Sequence, residues 1–243
     1  MKTNLPAIKQ ENALAILSKT KNLLSITNRL LSKNEMQEIV QGFTHKYLYL
    51  TCCVGSVYAV AITPDGKQIV YGGNDEIIKI RDIYSGVCIK TLEGHSSYVN
   101  SIAITPDGKK IVSGSYDNTI KIWDIESGAC LKTIKGHSNG IESISIASDG
   151  THIVSGGDAF NCTIKVWDKE SGAYLKTLEG GPTGWIATIA ITPDGKQIVS
   201  ICDYNTIKIW DIFSGEIVYE LVKPSNYFSV ALYKDGQLIA FIQ

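Results

Sequence analysis

Short runs of alternating apolar and polar residues fill the chain from about Tyr47 onward, each bounded by Gly, Pro, Asp or Asn. Alternation with a period of two puts one face of each run into a core and the other into solvent, the pattern of a β-strand. One stretch reads VNSIAI (Val99–Ile104), a turn, KIVSGS (Lys110–Ser115), a turn, TIKIWDI (Thr119–Ile125), then CLKTIKG (Cys130–Gly136). That is four strands in one unit. The turns are chemically apt: Pro presets φ, and Gly accepts the positive φ that tight turns require.

The unit repeats. TPDG stands at Thr63–Gly66, Thr105–Gly108 and Thr192–Gly195, with the variants ASDG at Ala147–Gly150 and YKDG at Tyr233–Gly236. The spacing is about 42 residues, the period of a four-stranded propeller blade. A second series in phase runs IIKIRDI (Ile77–Ile83), TIKIWDI (Thr119–Ile125), TIKVWD (Thr163–Asp168) and TIKIWDI (Thr206–Ile212). A third marker, Gly-His, occurs at Gly94–His95 and Gly136–His137. On these motifs the chain resembles the WD40 repeat family from roughly Tyr47 to Gln243. The resemblance implies an all-β, WD40-type β-propeller acting as a protein-interaction platform.

Blades are expected at about 54–94, 95–136, 137–180 and 181–223, with a partial one at 224–243. Most rings of this kind have about seven blades and need roughly 290 residues. Three arrangements therefore stay open: part of a longer protein, two chains completing one ring edge to edge, or a compact ring that closes imperfectly. The terminal run QLIAFIQ (Gln237–Gln243) is uncharged and apolar, so self-association through the partial blade is among the expectations.

In the second unit His95, Ser113, Asp117 and Trp123 invite a nucleophile reading. The resemblance implies instead a buried hydrogen-bonded tetrad that ties the strands together, and no nucleophile-elbow sequence surrounds Ser113. The other units depart from it. The first has Cys53, Tyr71, Asp75 and Arg81 in the four places. The third keeps His137, Ser155 and Trp167, with Asp158 or Asn161 as the fourth member. The fourth keeps Trp210 but has Gly-Gly in place of Gly-His.

The Gly-His loops and the loops before each TIKIW share one face, and sequence variation concentrates there. Tyr98, Tyr116, Phe160, Trp185 and Tyr204, with Asn74 and Asp75, are the candidate partner-binding residues, because aromatics on loops of a rigid scaffold anchor proteins. The expected partner is another protein or a peptide. No enzyme activity and no cofactor are expected: there is no phosphate-binding glycine loop, metal-ligand cluster or nucleophile motif.

Residues 1–45 lack the repeat. Ile16-Leu17, Leu23-Leu24 and Leu30-Leu31 recur at every seventh position, which predicts an amphipathic helix. Across the first 34 positions Lys2, Lys9, Lys19, Lys21, Arg29 and Lys33 outweigh Glu11, the one feature favouring nucleic acid. A whole-chain formal charge of −1 gives no field to attract it, so nucleic acid is not an expected partner. No apolar run is long enough to span a membrane. Six cysteines form no C-x-x-C pair; Cys88 and Cys130 read as small packing residues, and a reduced, cytoplasmic setting is expected.

Overall fold

The computed structural model describes residues 55–157, 163–179, 186–202 and 206–222, together with the backbone of 227–232 and 238–242. The first blade comprises β1 (Val57–Ile62), β2 (Gln68–Gly73), β3 (Ile78–Asp82) and β4 (Cys88–Leu92). The second comprises β5 (Val99–Ile104), β6 (Lys110–Ser115), β7 (Thr119–Asp124) and β8 (Cys130–Lys135). The third holds β9 (Ile141–Ile146), β10 (His152–Gly157), β11 (Thr163–Asp168) and β12 (Tyr174–Glu179). The fourth holds β13 (Ile186–Ile191), β14 (Gln197–Cys202), β15 (Thr206–Asp211) and β16 (Ile217–Val222). A two-stranded sheet follows, β17 (Tyr227–Leu232) with β18 (Leu238–Ile242). Within every sheet the strands run in sequence order and pair antiparallel. The helix expected in residues 1–45 lies outside the described residues.

Most of the core lies between blades; smaller clusters lie within the first blade, around Val60, Ile69 and Tyr71, and within the fourth, around Val199, Ile201 and Ile207. Ala59, Val70, Ile80 and Leu92 of the first blade pack with Val99, Ile102, Ile111 and Trp123 of the second. Val112, Ile120 and Ile134 of the second meet Ile141, Ile144 and Trp167 of the third. Val154, Ile164 and Leu178 of the third meet Ile186, Ile189 and Trp210 of the fourth. Trp123, Trp167 and Trp210 thus each belong to one blade and fill the seam with the blade before it.

Innermost strands make the closest seams: β1 packs on β5, β5 on β9, β9 on β13, and β13 on β17. Glycine permits the approach. A Cβ on Gly72 would collide with Val99, one on Gly114 with Ile141 and Ile144, and one on Gly156 with Ile186 and Ile189. Hydroxyls stitch the same seams, because Ser101 Oγ accepts from Ile144 N at 2.9 Å and Ser143 Oγ from Ile189 N at 3.0 Å.

The TPDG turns follow from their residues. Thr63 Oγ1 donates to Asp65 Oδ1 at 2.6 Å and accepts from Gln68 N at 3.0 Å, while Gly66 takes φ of 72°. The copies at Thr105 and Thr192 repeat those bonds. Asp124 closes the next turn by accepting from Ser127 N and Oγ. The outermost strands correct one expectation: Cys88 and Cys130 open β4 and β8 on the exposed rim and pack in no core.

Candidate functional site

The structure joins the second unit's four residues in one network. His95 Nδ1 lies 2.8 Å from Asp117 Oδ2, and His95 Nε2 lies 2.7 Å from Ser113 Oγ. Trp123 Nε1 donates to the same Ser113 oxygen at 2.9 Å. With Asp117 ionised, Nδ1–H donates to it, and a neutral ring then accepts the serine hydroxyl at Nε2. In this network both ring nitrogens of His95, the Ser113 hydroxyl, the Trp123 N–H and both Asp117 oxygens are engaged. Burial pushes the Asp117 carboxyl up, but hydrogen bonds from His95, the Thr119 hydroxyl and Ser96 N outweigh it and hold the group well below the usual carboxylate range.

A His bridging Ser and Asp has the connectivity of a hydrolytic triad. Ser113 is 0% exposed, however, and its oxygen lies under the Trp123 ring's N–H. A nucleophile must reach a carbonyl carbon, and this one is sealed in a seam between blades. The network ties His95 and Asp117 of the loops to Ser113 of β6 and Trp123 of β7. Two constraints place Gly before His: Gly94 takes φ of 147°, and a Cβ on Gly136 would collide with the Trp167 ring.

The other units keep parts of this scheme. His137 Nε2 and Trp167 Nε1 converge on Ser155 Oγ, each at 2.7 Å. Trp210 Nε1 donates to Ser200 Oγ at 2.9 Å. Ser200 was not singled out from sequence, although it sits where Ser113 and Ser155 sit in their VS dipeptides. In the first blade the pair is rebuilt: Arg81 Nε donates to Tyr71 Oη at 2.7 Å, Arg81 Nη1 donates to Gly86 O at 2.9 Å, and the guanidinium lies 5.8 Å from the Tyr71 ring centre. Arg81 stands where the other blades place the tryptophan that fills the preceding seam. Cys53, Asp158 and Asn161 lie outside the described residues.

On the loop face, the structure brings Tyr98 and Tyr116 together with ring centres 6.5 Å apart. They are 46% and 56% exposed. Tyr58, half-buried, extends the row with an edge-on contact to Tyr98 at 5.9 Å. Sequence reading passed over Tyr58 because it lies within a strand. The register gives the signal: Val57 pairs with Gly73 and Ala59 with Gly72, leaving Tyr58 as the extra residue of a β-bulge. A bulge re-aims a side chain.

Asn74 and Asp75 sit on the same face but are engaged locally. Asn74 Oδ1 accepts from Ser56 N at 2.8 Å, and Asp75 pairs with Lys79 at 2.7 Å. Phe160, Trp185 and Tyr204 lie outside the described residues. Among the described residues no group of His, Cys, Asp and Glu is arranged to hold a metal ion, and no helix is long and apolar enough to cross a membrane.

Four-stranded sheets joined through their innermost strands, with Trp–Ser–His networks in the seams, define a WD-type β-propeller repeat array. The chain belongs to the WD40 family: a family model described as WD domain, G-beta repeat matches residues 46–82, 86–124, 128–168 and 172–211. A comparison with curated proteins found no significant match. WD40 repeats support a protein-interaction scaffold in general, and proteins built from them are generally non-catalytic.

Proposed function

We propose that this chain is a non-catalytic scaffold that receives another protein, or a peptide from one, on its loop face. The observation that carries the reading is the tyrosine row. Tyr58, Tyr98 and Tyr116 are set by a bulge and two loops on two hydrogen-bonded sheets, so their positions are fixed before a partner arrives. Tyrosines anchor interfaces because each offers a large amphipathic surface at small cost in rotamer entropy. The opposite face offers Tyr84 and Phe213 in the β3–β4 and β15–β16 turns, singly and in different blades.

The test is affinity capture with quantitative mass spectrometry on the full chain, comparing wild type with Tyr98→Ala/Tyr116→Ala and with Tyr84→Ala. Captured proteins are expected to be lost from the double variant and kept by Tyr84→Ala. Loss from Tyr84→Ala alone would move the site to the other face.

The two-stranded sheet supports a second reading, an oligomer-forming subunit of a larger propeller assembly. β17 packs on β13 and β14 as each innermost strand packs on the blade before it, yet only β18 pairs with it among the described residues. Light scattering of the purified chain tests this. A defined dimer supports edge completion between two copies, whereas a monomer across the micromolar range rules it out.

A further inference from the structure

The described loops of the tyrosine face, 74–77, 93–98, 116–118 and 136–140, carry Asp75, Glu76, Glu93 and Asp117 and no Lys or Arg. Asp75 is taken up by Lys79 and Asp117 by His95. The bulge that presents Tyr58 recurs in the next two blades. In β5 the extra residue is Asn100, between the paired Val99 and Ser101, and in β9 it is Glu142, between Ile141 and Ser143.

These positions join the aromatic row. Tyr98 precedes Asn100 by two residues, and the Tyr116 ring lies over Gly140, two residues before Glu142. Asn100 Nδ2 donates to Ile141 O at 3.1 Å and to Glu142 Oε2 at 3.4 Å, so its amide carbonyl remains to accept from a ligand. No cation pairs with Glu142 among the described residues. Its side chain is exposed and so open to a visitor, while the protein packed around it desolvates the carboxyl enough to raise it above the usual carboxylate range. A carboxylate stripped of some water and left without a counter-charge gains most from a cation that brings its own donors. Tyrosine faces favour the same visitor, because the ring quadrupole attracts a cation and the ring covers its aliphatic stem.

Resting on the loop-face reading above, we infer that the partner inserts an arginine or lysine side chain here. Its stem lies along Tyr98 and Tyr116, and its cationic head bonds to Glu142 and to the carbonyl of Asn100. The preferred occupant is a basic peptide segment, and acidic or purely apolar segments are rejected.

The test uses the full chain on an array of immobilised nonapeptides with mixed flanks and Arg, Lys, norleucine or Glu at the centre. Three proteins are compared: wild type, Glu142→Gln and Tyr98→Ala/Tyr116→Ala, each with its melting temperature measured. Arg and Lys peptides are expected to be retained about tenfold over the other two, the scale of one charge-assisted or cation–π contact. Glu142→Gln should bring the four centres near parity with little change in melting temperature. A wild-type preference for norleucine or Glu overturns the inference, as does a basic preference undiminished in Glu142→Gln or a failure to retain any basic peptide. Those results leave the loop-face reading standing where retention still depends on the two tyrosines. Retention indifferent to both tyrosines overturns that reading too.

Discussion

Ser113→Ala isolates the hydrogen bonding of the buried network, because it deletes one oxygen and leaves the packing nearly unchanged. Two groups lose their partner. The Trp123 Nε1–H, in a side chain 1% exposed, has no other acceptor among its hydrogen bonds, and His95 Nε2 loses the hydroxyl 2.7 Å away. Leaving a buried polar group unsatisfied costs about 1–3 kcal/mol. The two losses share one oxygen and are not independent, so the joint cost is about 3 kcal/mol. For a domain of this size that lowers Tm by roughly 6–12 °C. Ser200→Ala supplies the internal comparison, because Ser200 accepts from Trp210 and otherwise meets only Cys202 Sγ at 3.9 Å among the described residues. It should cost about half as much. Urea titrations read by tryptophan fluorescence and far-UV circular dichroism measure both, and coincident curves license the two-state treatment that repeat arrays can violate. Trp123→Phe should also cost less in the Ser113→Ala background than alone, since its N–H then has no acceptor to lose. A loss from Ser113→Ala no larger than that from Ser200→Ala would refute the account of the serine as a shared hub.

Trp123→Ala empties a seam between blades and should cost about 3–5 kcal/mol. Arg81→Ala removes a guanidinium bonded to Tyr71 and Gly86 on the first blade and should cost less; a reversed order of melting temperatures counts against the seam argument. Gly156→Ala forces a methyl group against Ile186 and Ile189, an overpacking cost of about 1–3 kcal/mol, and an unchanged urea midpoint would show that the seam has slack. Acid should destabilise the chain. Hydrogen bonds from Thr hydroxyls hold Asp65, Asp107 and Asp194 below the usual range, as Ser hydroxyls do Asp124 and Asp168, and backbone N–H groups of Thr151 and Ser214 do Asp149 and Asp211. Folded values below unfolded ones mean that this stability is present above the ordinary carboxylate pKa of about 4 and is lost as pH falls through the folded values. The urea midpoint should hold from pH 7 to about 5 and drop below about 4, and a midpoint that does not fall between about pH 5 and pH 3 would contradict it.

The repeat made the strands legible before any coordinates, because each turn chemistry recurs in phase and fixes a strand on either side. The network of His95, Ser113, Asp117 and Trp123 was legible through the resemblance to WD40 repeats, which implies such a tetrad where all four residues occur. What escaped was whatever depends on register or on the neighbouring blade. Tyr58, Asn100 and Glu142 look like ordinary strand residues until the bulge is seen. Cys88 and Cys130 look like packing residues until the outermost strand proves to have solvent beside it. The Arg81–Tyr71 pair escaped because two substitutions, each a loss by comparison with the repeat, compensate each other in space.

The serine and glycine seams between innermost strands bind the blades as a spine binds pages. Opening a blade at its rim breaks that blade's own ladder and exposed lysine bonds such as Lys132 Nζ to Glu170 O and Lys176 Nζ to Phe213 O, whereas opening it at the centre breaks the bonds from Ile144 and Ile189 to the serines before them. Amide exchange should therefore grade from quick at the fore-edge to slow at the binding, however regular the sheets look. Tyr58, Asn100 and Glu142 stand on the bound side, so a visitor there meets backbone that yields little, and its selectivity falls on its own shape and charge.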